Sequence, residues 1–350
     1  MKILFVTSEF GSNGGGLSLS SERVFNYLSE RYSVQIVNPK NPQVLVADGG
    51  YNQELASAIR HENDLKIDAY QYKDKDIDYV IAFGGGFNGY YASILSQRIN
   101  SSFILCLRGT DVNLAKWSPI ETFYLKESAI HSHKVVCLSR EMIENLRLID
   151  KSLCIKCVLI PNSIVGGGDV TFMEKQNSTI VIGTASTHLN EKKGVANLLS
   201  LVKLAKESGI DINLELVGEI DADLYESYVK IIDNFEISDH ITFHGRISRP
   251  ELSLLMRDWD LYVQAPVCEG HPNSVIESLE NGISFISTRT GYIFEKLHCD
   301  FPEYFFDDNT PASMLKGVLA LLNDKKLALR SEQLRDKLLK SSDSNTIKNL

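Results

Sequence analysis

Two glutamates stand eight positions apart in the run CEGHPNSVIESLENGI, which begins at Cys268. Glu269 falls in the loop after a predicted strand, and a predicted helix starts a few residues later, so that Glu277 lies near its first turn. The N–H groups at a helix N-terminus bind phosphate, and carboxylates accept hydrogen bonds from sugar and ribose hydroxyls. This spacing is therefore suited to holding a sugar nucleotide.

The candidate residues of this run have different roles. Glu269 is the catalytic candidate. The binding candidates are Gly270, His271, Pro272, Asn273, Ser274 and Glu277. A second interpretation exists for Glu277, because Ser274 and Glu277 have the spacing of a capping box. Capping explains Glu277 but leaves Glu269, Gly270 and Pro272 unexplained, so we favour a binding role for the run.

Two basic residues stand where a loop leaves a predicted strand. Lys193 precedes Gly194 at the expected start of a helix, a place that suits the charge of a diphosphate, although a single lysine is more often solvated. Arg108 opens the motif RGTD and can bind phosphate or sugar hydroxyls. Alternatively, Arg108 pairs with Asp111 and holds the loop, and both interpretations stay open.

Two glycine clusters also follow predicted strands. Gly15 and Gly16 lie between the first strand and a helix, where glycine lets the backbone approach a phosphate closely; a flexible turn is the alternative. The run FGGGFNG at 83–89 matches G-x-G-x-x-G, but it follows the third strand rather than opening the domain. We interpret it as a tight crossover and not as a dinucleotide site.

Short apolar runs alternate with stretches of helical period along the chain, which predicts parallel α/β sheets. The predicted strands are Lys2–Thr7, Val34–Val37, Asp78–Ala82, Phe103–Leu107, Val135–Leu138, Val158–Ile160, Thr179–Gly183, Asn213–Val217, Ile241–Phe243, Leu261–Gln264 and Ser284–Ser287. Residues 161–178 are polar and rich in glycine, so we predict two Rossmann-like domains, 1–163 and 164–330. A helix over about 330–350 is expected to pack back on the first domain. The carboxyl ends of both sheets are expected to face a shared cleft that holds a two-part substrate.

The composition is that of an ordinary globular protein, with 43% apolar and 23% charged residues. A length of 350 residues favours two domains, and a net charge of −9 argues against nucleic acid as a partner. The sequence shows neither a secretory leader nor 18 consecutive apolar residues, so a cytoplasmic protein is expected, with at most peripheral contact at the inner face of a membrane. The six cysteines, including the pair Cys154 and Cys157, fit structural thiols.

Together these motifs resemble family 4 of the retaining glycosyltransferases, which have the GT-B fold. Glu269 and Glu277 match the E-x7-E signature of that family. Five further matches follow in the family's order: the Gly14–Gly16 loop, RGTD at 108–111, IPNS at 160–163, Lys193-Gly194 and FHGRI at 243–247. The resemblance implies transfer of a hexose from a nucleoside diphosphate sugar, with a UDP-sugar favoured, and retention at the anomeric carbon. It implies no metal and no other cofactor.

The resemblance also implies roles for individual residues. By matching position, Lys193 binds the phosphates, Glu269 faces the sugar and Glu277 binds the ribose. The second domain holds the donor, and the first domain, in which Arg108 stands where many members have histidine, holds the acceptor. A glycan, a lipid-linked sugar or a small molecule is the expected acceptor, in the synthesis of surface polysaccharide or another glycoconjugate.

The chain departs from the family at the arginine that usually precedes the lysine by five or six residues. Thr187 and His188 occupy those positions, and either His188 or Arg246 is the expected replacement. Tyr292 stands beside Gly291 where the family has a pair of small residues, and it is expected to alter the donor sugar pocket. The missing arginine keeps open a non-catalytic, sugar-nucleotide-binding partner subunit, and a nucleotide-sugar epimerase of the same architecture is a further alternative.

Overall fold

The chain divides into two compact units, Met1–Pro161 and Asn162–Leu350, in a computed structural model. The structure describes residues 1–10, 16–39, 69–73, 75–162, 170–172 and 179–344. The first unit ends two residues before the predicted boundary at 163. Most of the predicted linker, 161–178, lies outside the described residues.

The first unit is built on a sheet of six parallel strands in the order β2-β1-β3-β4-β5-β6. The strands are β1 (Lys2–Val6), β2 (Ser33–Val37), β3 (Tyr79–Phe83), β4 (Ser102–Cys106), β5 (Lys134–Cys137) and β6 (Cys157–Leu159). The helices are α1 (Gly16–Ser29), α2 (Phe87–Ile99), α3 (Thr110–Ala115), α4 (Pro119–His131) and α5 (Arg140–Ile149), followed by a 3₁₀ helix (Lys151–Lys156). β3 and β4 each bury four of their five side chains, as expected for strands covered on both faces.

The second unit is built on five parallel strands in the order β11-β10-β7-β8-β9. The strands are β7 (Ile180–His188), β8 (Ile212–Glu219), β9 (Ile241–Gly245), β10 (Leu261–Gln264) and β11 (Phe285–Ser287). The helices are α6 (Val195–Glu207), α7 (Ala222–Phe235), α8 (Arg249–Met256), α9 (Asn273–Glu280), α10 (Gly291–Leu297), α11 (Pro311–Leu322) and α12 (Leu327–Ser344). Short 3₁₀ helices at Glu191–Lys193, Ser238–His240 and Pro302–Tyr304 complete its described elements.

The eleven predicted strands are present, and the largest difference concerns β7. Its predicted end is Gly183, but it continues to His188, because Thr184 and Ala185 pair with β8 and are buried there. The register shifts after Ala185 before His188 pairs with Glu219. The segment TASTH at 184–188 lacks the apolar run that marks a strand, so the sequence does not predict that β7 continues through it.

Helix α12 belongs to the second unit. Leu334 and Leu338 are buried in the core of that unit, and Ser331 shares a hydrogen bond with Ser284 just before β11. Residues 345–350 lie outside the described residues. The packing of the C-terminal helix on the first domain stays a prediction.

Candidate active site

The centre of the second sheet is the point where the strand order reverses. β7 lies between β10 and β8, and β10 lies between β7 and β11. The loops that leave the carboxyl ends of β7 and β10 therefore separate there, and in open parallel sheets ligands bind at this crevice. Lys193 follows β7 and Glu269 follows β10, so both predicted catalytic residues of this unit lie at the crevice.

Lys193 and Glu269 form an ion pair, with Lys193 Nζ 2.9 Å from Glu269 Oε2. Burial alone lowers the pKa of Lys193, but the charge and the hydrogen bond of Glu269, together with Tyr262 and Cys268 nearby, outweigh burial and raise that pKa above the ordinary lysine value. Burial alone raises the pKa of Glu269, but the charges of Lys193 and Lys192, the hydrogen bond from Lys193 and the N–H of Gly270 together outweigh burial and hold that pKa below the ordinary glutamate value. Both side chains are therefore charged at neutral pH, and Lys192 is a cation that sequence reasoning missed.

The two loops are held against each other by backbone contacts. Gly194 adopts φ +70°, and a Cβ placed there would lie 1.9 Å from the carbonyl oxygen of Ala265. The N–H of Val267 donates to the carbonyl of Lys192 at 3.0 Å. Glycine is required at 194 because the loop after β10 passes directly over it, and this close passage brings Lys193 to Glu269.

The loop between Glu269 and α9 is fixed by hydrogen bonds on both sides. The N–H of Glu269 donates to Thr290 Oγ1 at 3.1 Å, and the N–H of Gly270 donates to Glu269 Oε1 at 3.3 Å. The carbonyl of Gly270 accepts from the N–H of Tyr292 at 2.9 Å. Glu269 therefore has little freedom, and the predicted sugar-facing carboxylate is oriented by the start of α10.

His271 is buried and serves this loop. Its Nδ1 accepts from the N–H of Asn162 at 3.0 Å, and its ring packs edge-on against Tyr292 with centroids 5.0 Å apart. The Asn162 side chain in turn donates to Asn273 Oδ1 at 3.2 Å. Pro272 stands between them as the residue before α9. Asn162, in the predicted IPNS motif, thus links the start of the second unit to the candidate site.

Helix α9 starts at Asn273 without a capping side chain. Its N-cap is Pro272, which makes no side-chain hydrogen bond to the first turn. Ser274 Oγ instead accepts a hydrogen bond from the hydroxyl of Tyr262, at 2.7 Å, on β10. The capping-box alternative for Ser274 and Glu277 is therefore wrong, because the helix begins before Ser274.

The carboxylate of Glu277 contacts a residue that sequence reasoning missed. Arg249 Nη1, at the start of α8, lies 2.7 Å from Glu277 Oε1. The two residues are 28 positions apart in the sequence. The sequence feature that could have pointed to Arg249 is its position directly after Ser248, the N-cap residue of α8. Glu277 is thus paired, with its side chain 20% exposed.

His188 and Arg246 meet at a common carboxylate, that of Glu219. His188 Nδ1 lies 3.5 Å from Glu219 Oε2, and Arg246 Nη1 lies 3.3 Å from Glu219 Oε1. These residues stand at the carboxyl ends of the neighbouring strands β7, β8 and β9. The structure therefore brings both predicted replacements for the family arginine together, around a glutamate that was not predicted.

Arg108 lies at the carboxyl edge of the first sheet, with its guanidinium 4.2 Å from the centre of the Phe83 ring. Burial lowers the pKa of Arg108 to about 10, so it remains charged at neutral pH. The carboxylate of Asp111 accepts from the backbone N–H groups of Arg108, Gly109, Val112 and Gly85. Asp111 thus holds the loop through the backbone and ties the loop after β4 to the loop after β3.

The glycine clusters of the first unit stand at the point where its strand order reverses, between β1 and β3. Gly16 is the first residue of α1, and Gly15 lies outside the described residues. The N–H of Gly85 donates to Asp111, and the Asn88 side chain donates to Ser8 Oγ at 3.1 Å. The loops after β1, β3 and β4 are thus joined in a tight crossover.

Metal-binding clusters and membrane-spanning helices are both absent from the part of the chain that the structure describes. Among them, no group of three or more His, Cys, Asp or Glu side chains is arranged to hold a metal ion. None of the described helices combines the length and the apolar character needed to cross a bilayer.

Comparisons with known proteins find similarity to glycosyltransferases in both sequence and fold. Residues 172–336 match the family model for glycosyl transferases group 1. The chain is 25% identical over 269 residues to an uncharacterized glycosyltransferase of Methanocaldococcus jannaschii, covering 76% of this chain and 71% of that protein. It is 22% identical over 247 residues to Protein CapJ of Staphylococcus aureus, covering 66% of this chain and 59% of that protein.

A solved structure has the same architecture over nearly the full length. Anabaena HepE, in complex with UDP and glucose, aligns with a TM-score of 0.70 and 12% identity, covering 99% of this chain and 95% of that chain. The two Rossmann-like units thus form the GT-B type of glycosyltransferase fold, as predicted. The model for glycosyl transferases group 1 spans most of the second unit, so this unit is similar to the corresponding part of the group 1 glycosyltransferases.

Proposed function

We propose that this glycosyltransferase transfers a hexose from a nucleoside diphosphate sugar, with a UDP-sugar favoured, and that the anomeric configuration is retained. The observation that carries the proposal is the Lys193–Glu269 ion pair at the crevice between β7 and β10. A cation beside an oriented carboxylate, next to a helix start without a side-chain cap, suits a donor that is anionic at one end and rich in hydroxyls at the other.

In this proposal the second unit holds the donor. Lys193 stabilises the charge that develops on the diphosphate as the bond to the anomeric carbon breaks and its electron pair passes to the phosphate oxygen. Glu269 accepts hydrogen bonds from the sugar, and Glu277, oriented by Arg249, accepts them from the ribose. No metal or other cofactor takes part in this scheme.

The first unit holds the acceptor in this proposal. Arg108, charged at the carboxyl edge of the first sheet, is suited to an acceptor's hydroxyl or phosphate groups. The acceptor hydroxyl oxygen forms the new bond to the anomeric carbon, and its proton passes to the released diphosphate. We propose a glycan or lipid-linked acceptor in polysaccharide or glycoconjugate synthesis, at the cytoplasmic side of a membrane.

The experiment combines donor turnover with an analysis of the product. UDP-, GDP- and ADP-sugars are incubated with the protein, and release of the nucleoside diphosphate is measured with and without saccharide acceptors. Loss of one group that stabilises transition-state charge lowers turnover by about 10²–10³-fold, and we expect this for Lys193→Ala and Glu269→Ala. Lys203→Ala, which removes an exposed lysine paired with Glu207 on α6, is the matched control and should keep full turnover.

Two outcomes would overturn the proposal. An inverted anomeric centre in the product, identified by NMR, would exclude retention. Binding of sugar nucleotides without transfer or slow hydrolysis would favour the non-catalytic partner subunit. This alternative is worth testing because the carboxylate of Glu269 balances the charge of Lys193.

A further inference from the structure

Three cysteines of the first unit lie together at one edge of its sheet. Cys137 is the last residue of β5, Cys157 is the first residue of the edge strand β6, and Cys154 lies in the 3₁₀ helix that leads into β6. The sulfur atoms of Cys137 and Cys157 are 3.9 Å apart. The sequence favours structural thiols for the pair Cys154 and Cys157, but it does not show that a third thiol stands beside them.

The turn that carries Cys154 and Cys157 has a geometry that fits a disulfide. The N–H of Cys157 donates to the carbonyl of Cys154, which closes a single 3₁₀ turn. Side chains three residues apart in such a turn are eclipsed, and their Cα atoms are about 6 Å apart. Disulfides usually join residues whose Cα atoms are about 4.4–6.8 Å apart. The backbone of this turn therefore already has the separation that a Cys154–Cys157 bond requires.

Hydrogen bonds hold the turn at both ends. At its start, Asp150 Oδ1 accepts from the backbone N–H and the hydroxyl of Ser152, at 3.0 Å and 2.7 Å. At its end, the ammonium group of Lys156 donates to the carbonyls of Ile130 and Ser132, at 2.6 Å and 2.7 Å. The two thiols are thus kept close to each other before any bond joins them.

Cys137 is placed to act on Cys157 without forming the disulfide itself. In the pairing of β5 with β6, Cys157 lies opposite Val135, two residues before Cys137. Strands about 4.8 Å apart, with a rise of about 3.3 Å per residue, then put the Cα atoms of Cys137 and Cys157 about 8 Å apart. A disulfide across that distance requires the backbone to move. The buried Cys137 instead donates its S–H to the sulfur of Cys157.

The three thiols differ in acidity and in access. The hydrogen bond from Cys137, helped by Cys154, outweighs burial and lowers the pKa of the Cys157 thiol. Burial raises the pKa of Cys154, and the hydrogen bond to Cys157 together with burial raises that of Cys137. The thiolate therefore forms on Cys157. Cys154 and Cys157 are partly exposed, whereas Cys137 is buried.

We propose that Cys154 and Cys157 are a reversible redox pair that reacts with low-molecular-weight disulfides. The thiolate of Cys157 attacks one sulfur of the small disulfide, whose S–S bond breaks and releases one thiolate. The sulfur of Cys154 then attacks Cys157 in the mixed disulfide and displaces the second small thiolate. Two electrons pass to the small disulfide, which is reduced to two thiols that take up the protons of the two cysteines. A small dithiol reverses the reaction.

The test incubates the reduced protein with glutathione disulfide and follows it by intact and peptide mass spectrometry. We expect the loss of two hydrogens, a cross-link between Cys154 and Cys157, and recovery of both thiols with dithiothreitol. Cys154→Ser removes the second attacking thiol, so Cys157 should then retain one glutathione as a mixed disulfide. The matched control is Cys299→Ser, which removes an exposed cysteine of the second unit and should leave the cross-link unchanged.

The pH dependence of this reaction tests Cys137 as a positioning residue. In Cys154→Ser protein, the rate of glutathione addition to Cys157 should reach half its maximum at a pH below the ordinary thiol pKa. Adding Cys137→Ala should shift this midpoint upward, because the S–H donor is lost. Adding Cys137→Ser should shift it less, since the hydroxyl group still donates. A residue that only fills space would leave the midpoint unchanged.

Several outcomes would contradict the redox pair. Glutathione adducts that persist on both Cys154 and Cys157 of the unsubstituted protein would show that the pair does not close. Reaction at Cys299 alone would make the three thiols structural, and a Cys137–Cys157 cross-link would assign the wrong partner. Equal midpoints for the two Cys137 variants would remove its positioning role. None of these measurements uses a sugar nucleotide, so the proposed function stands or falls separately.

Discussion

Arg249 holds the carboxylate of Glu277 at 2.7 Å, across the space between the starts of α8 and α9. The capping box of α8, formed by Ser248 and Glu251, fixes the backbone from which Arg249 projects. Glu277 therefore presents one oxygen to Arg249, and its other oxygen stays oriented by the same contact. A residue proposed to bind ribose is thus preorganised by a second helix.

This relationship predicts that Arg249→Ala weakens binding of the nucleoside part of the ligand. Without its partner the Glu277 side chain regains rotational freedom, and binding has to restrict that freedom again. We expect the affinities for UMP and UDP to fall together, by about fivefold to tenfold, with the ratio between them unchanged. Calorimetric titration of both nucleotides measures this.

Arg249→Lys is the conservative comparison, since lysine keeps the charge but lacks the planar fork. It should recover part of the lost affinity. A loss confined to UDP would instead place Arg249 on the phosphates and contradict the ribose assignment.

The Lys193–Glu269 pair predicts how stability changes with pH. The pKa of Glu269 is lowered in the folded protein, so its contribution is fully present above the ordinary glutamate pKa and is lost as the pH falls through the lowered value. The pKa of Lys193 is raised, so its contribution is lost only as the pH rises through that raised value. The pair therefore stabilises the fold throughout the neutral range.

Glu269→Gln should accordingly cost about 1–3 kcal/mol at pH 7, because it leaves a partly buried lysine unpaired. The difference from the unsubstituted protein should shrink as the pH falls below the ordinary glutamate pKa and through the lowered pKa of Glu269 in the folded protein. Urea unfolding at a series of pH values measures it. Glu207→Gln, in an exposed pair on α6, should cost only about 0.3–0.5 kcal/mol, and an equal cost for the two variants would contradict the prediction.

The strands of both sheets were predictable because buried parallel strands are short, nearly continuous apolar runs. The run FILCL predicted β4 and LYVQ predicted β10 on this basis. The same logic placed Lys193 and Glu269 at carboxyl strand ends. It could not show that they touch, since they are 76 residues apart and their contact depends on β7 being next to β10. Strand order follows from packing of the whole unit and leaves no local pattern.

The partners of the predicted site residues were missed for a related reason. Glu219 and Arg249 each follow an ordinary pattern, a strand end and a helix start, in which a charged residue is usually solvated. The contacts that give them roles join residues 27 and 28 positions apart, on different elements. The capping-box alternative for Glu277 failed because Pro272 is the N-cap, so the helix starts earlier than the Ser-x-x-Glu spacing implies.

A substitution at Asp111 is expected to change the stability of the first unit without changing donor binding, which is assigned to the second unit. Its carboxylate accepts from four backbone N–H groups, so Asp111→Ala leaves several partly buried donors unsatisfied and should destabilise the first unit by about 2–4 kcal/mol. The affinity for UDP should change less than twofold, since the donor is assigned to the second unit. Denaturant unfolding and calorimetry on the same variant test both parts.

Asp150→Ala is the matched comparison for Asp111. Asp150 also accepts from a backbone N–H, that of Ser152, but it is exposed, so its loss should destabilise the protein clearly less than the loss of Asp111. A fall in UDP affinity for Asp111→Ala, with the protein still folded, would place part of the donor site in the first unit.

Gly194 and Gly209 give a paired prediction for the loop that positions Lys193. Both adopt left-handed backbone, with φ +70° and φ +72°, but a Cβ at 194 would lie 1.9 Å from the carbonyl oxygen of Ala265, whereas a Cβ at 209 meets nothing within 4 Å. Alanine at either site costs about 1–2 kcal/mol for the left-handed conformation, offset in part by the less flexible unfolded chain. These contributions cancel in the comparison, so the excess cost of Gly194→Ala reports the collision alone.

We expect Gly194→Ala to exceed Gly209→Ala by at least about 2 kcal/mol in the free energy of unfolding, measured with urea, because backbone atoms on both sides have to move. The movement separates the loop after β7 from the loop after β10, and with them Lys193 from Glu269. Donor turnover should therefore also fall in Gly194→Ala and remain unchanged in Gly209→Ala. Similar costs for the two variants would mean that the loop after β10 yields easily, and the close passage would then not be what holds the ion pair together.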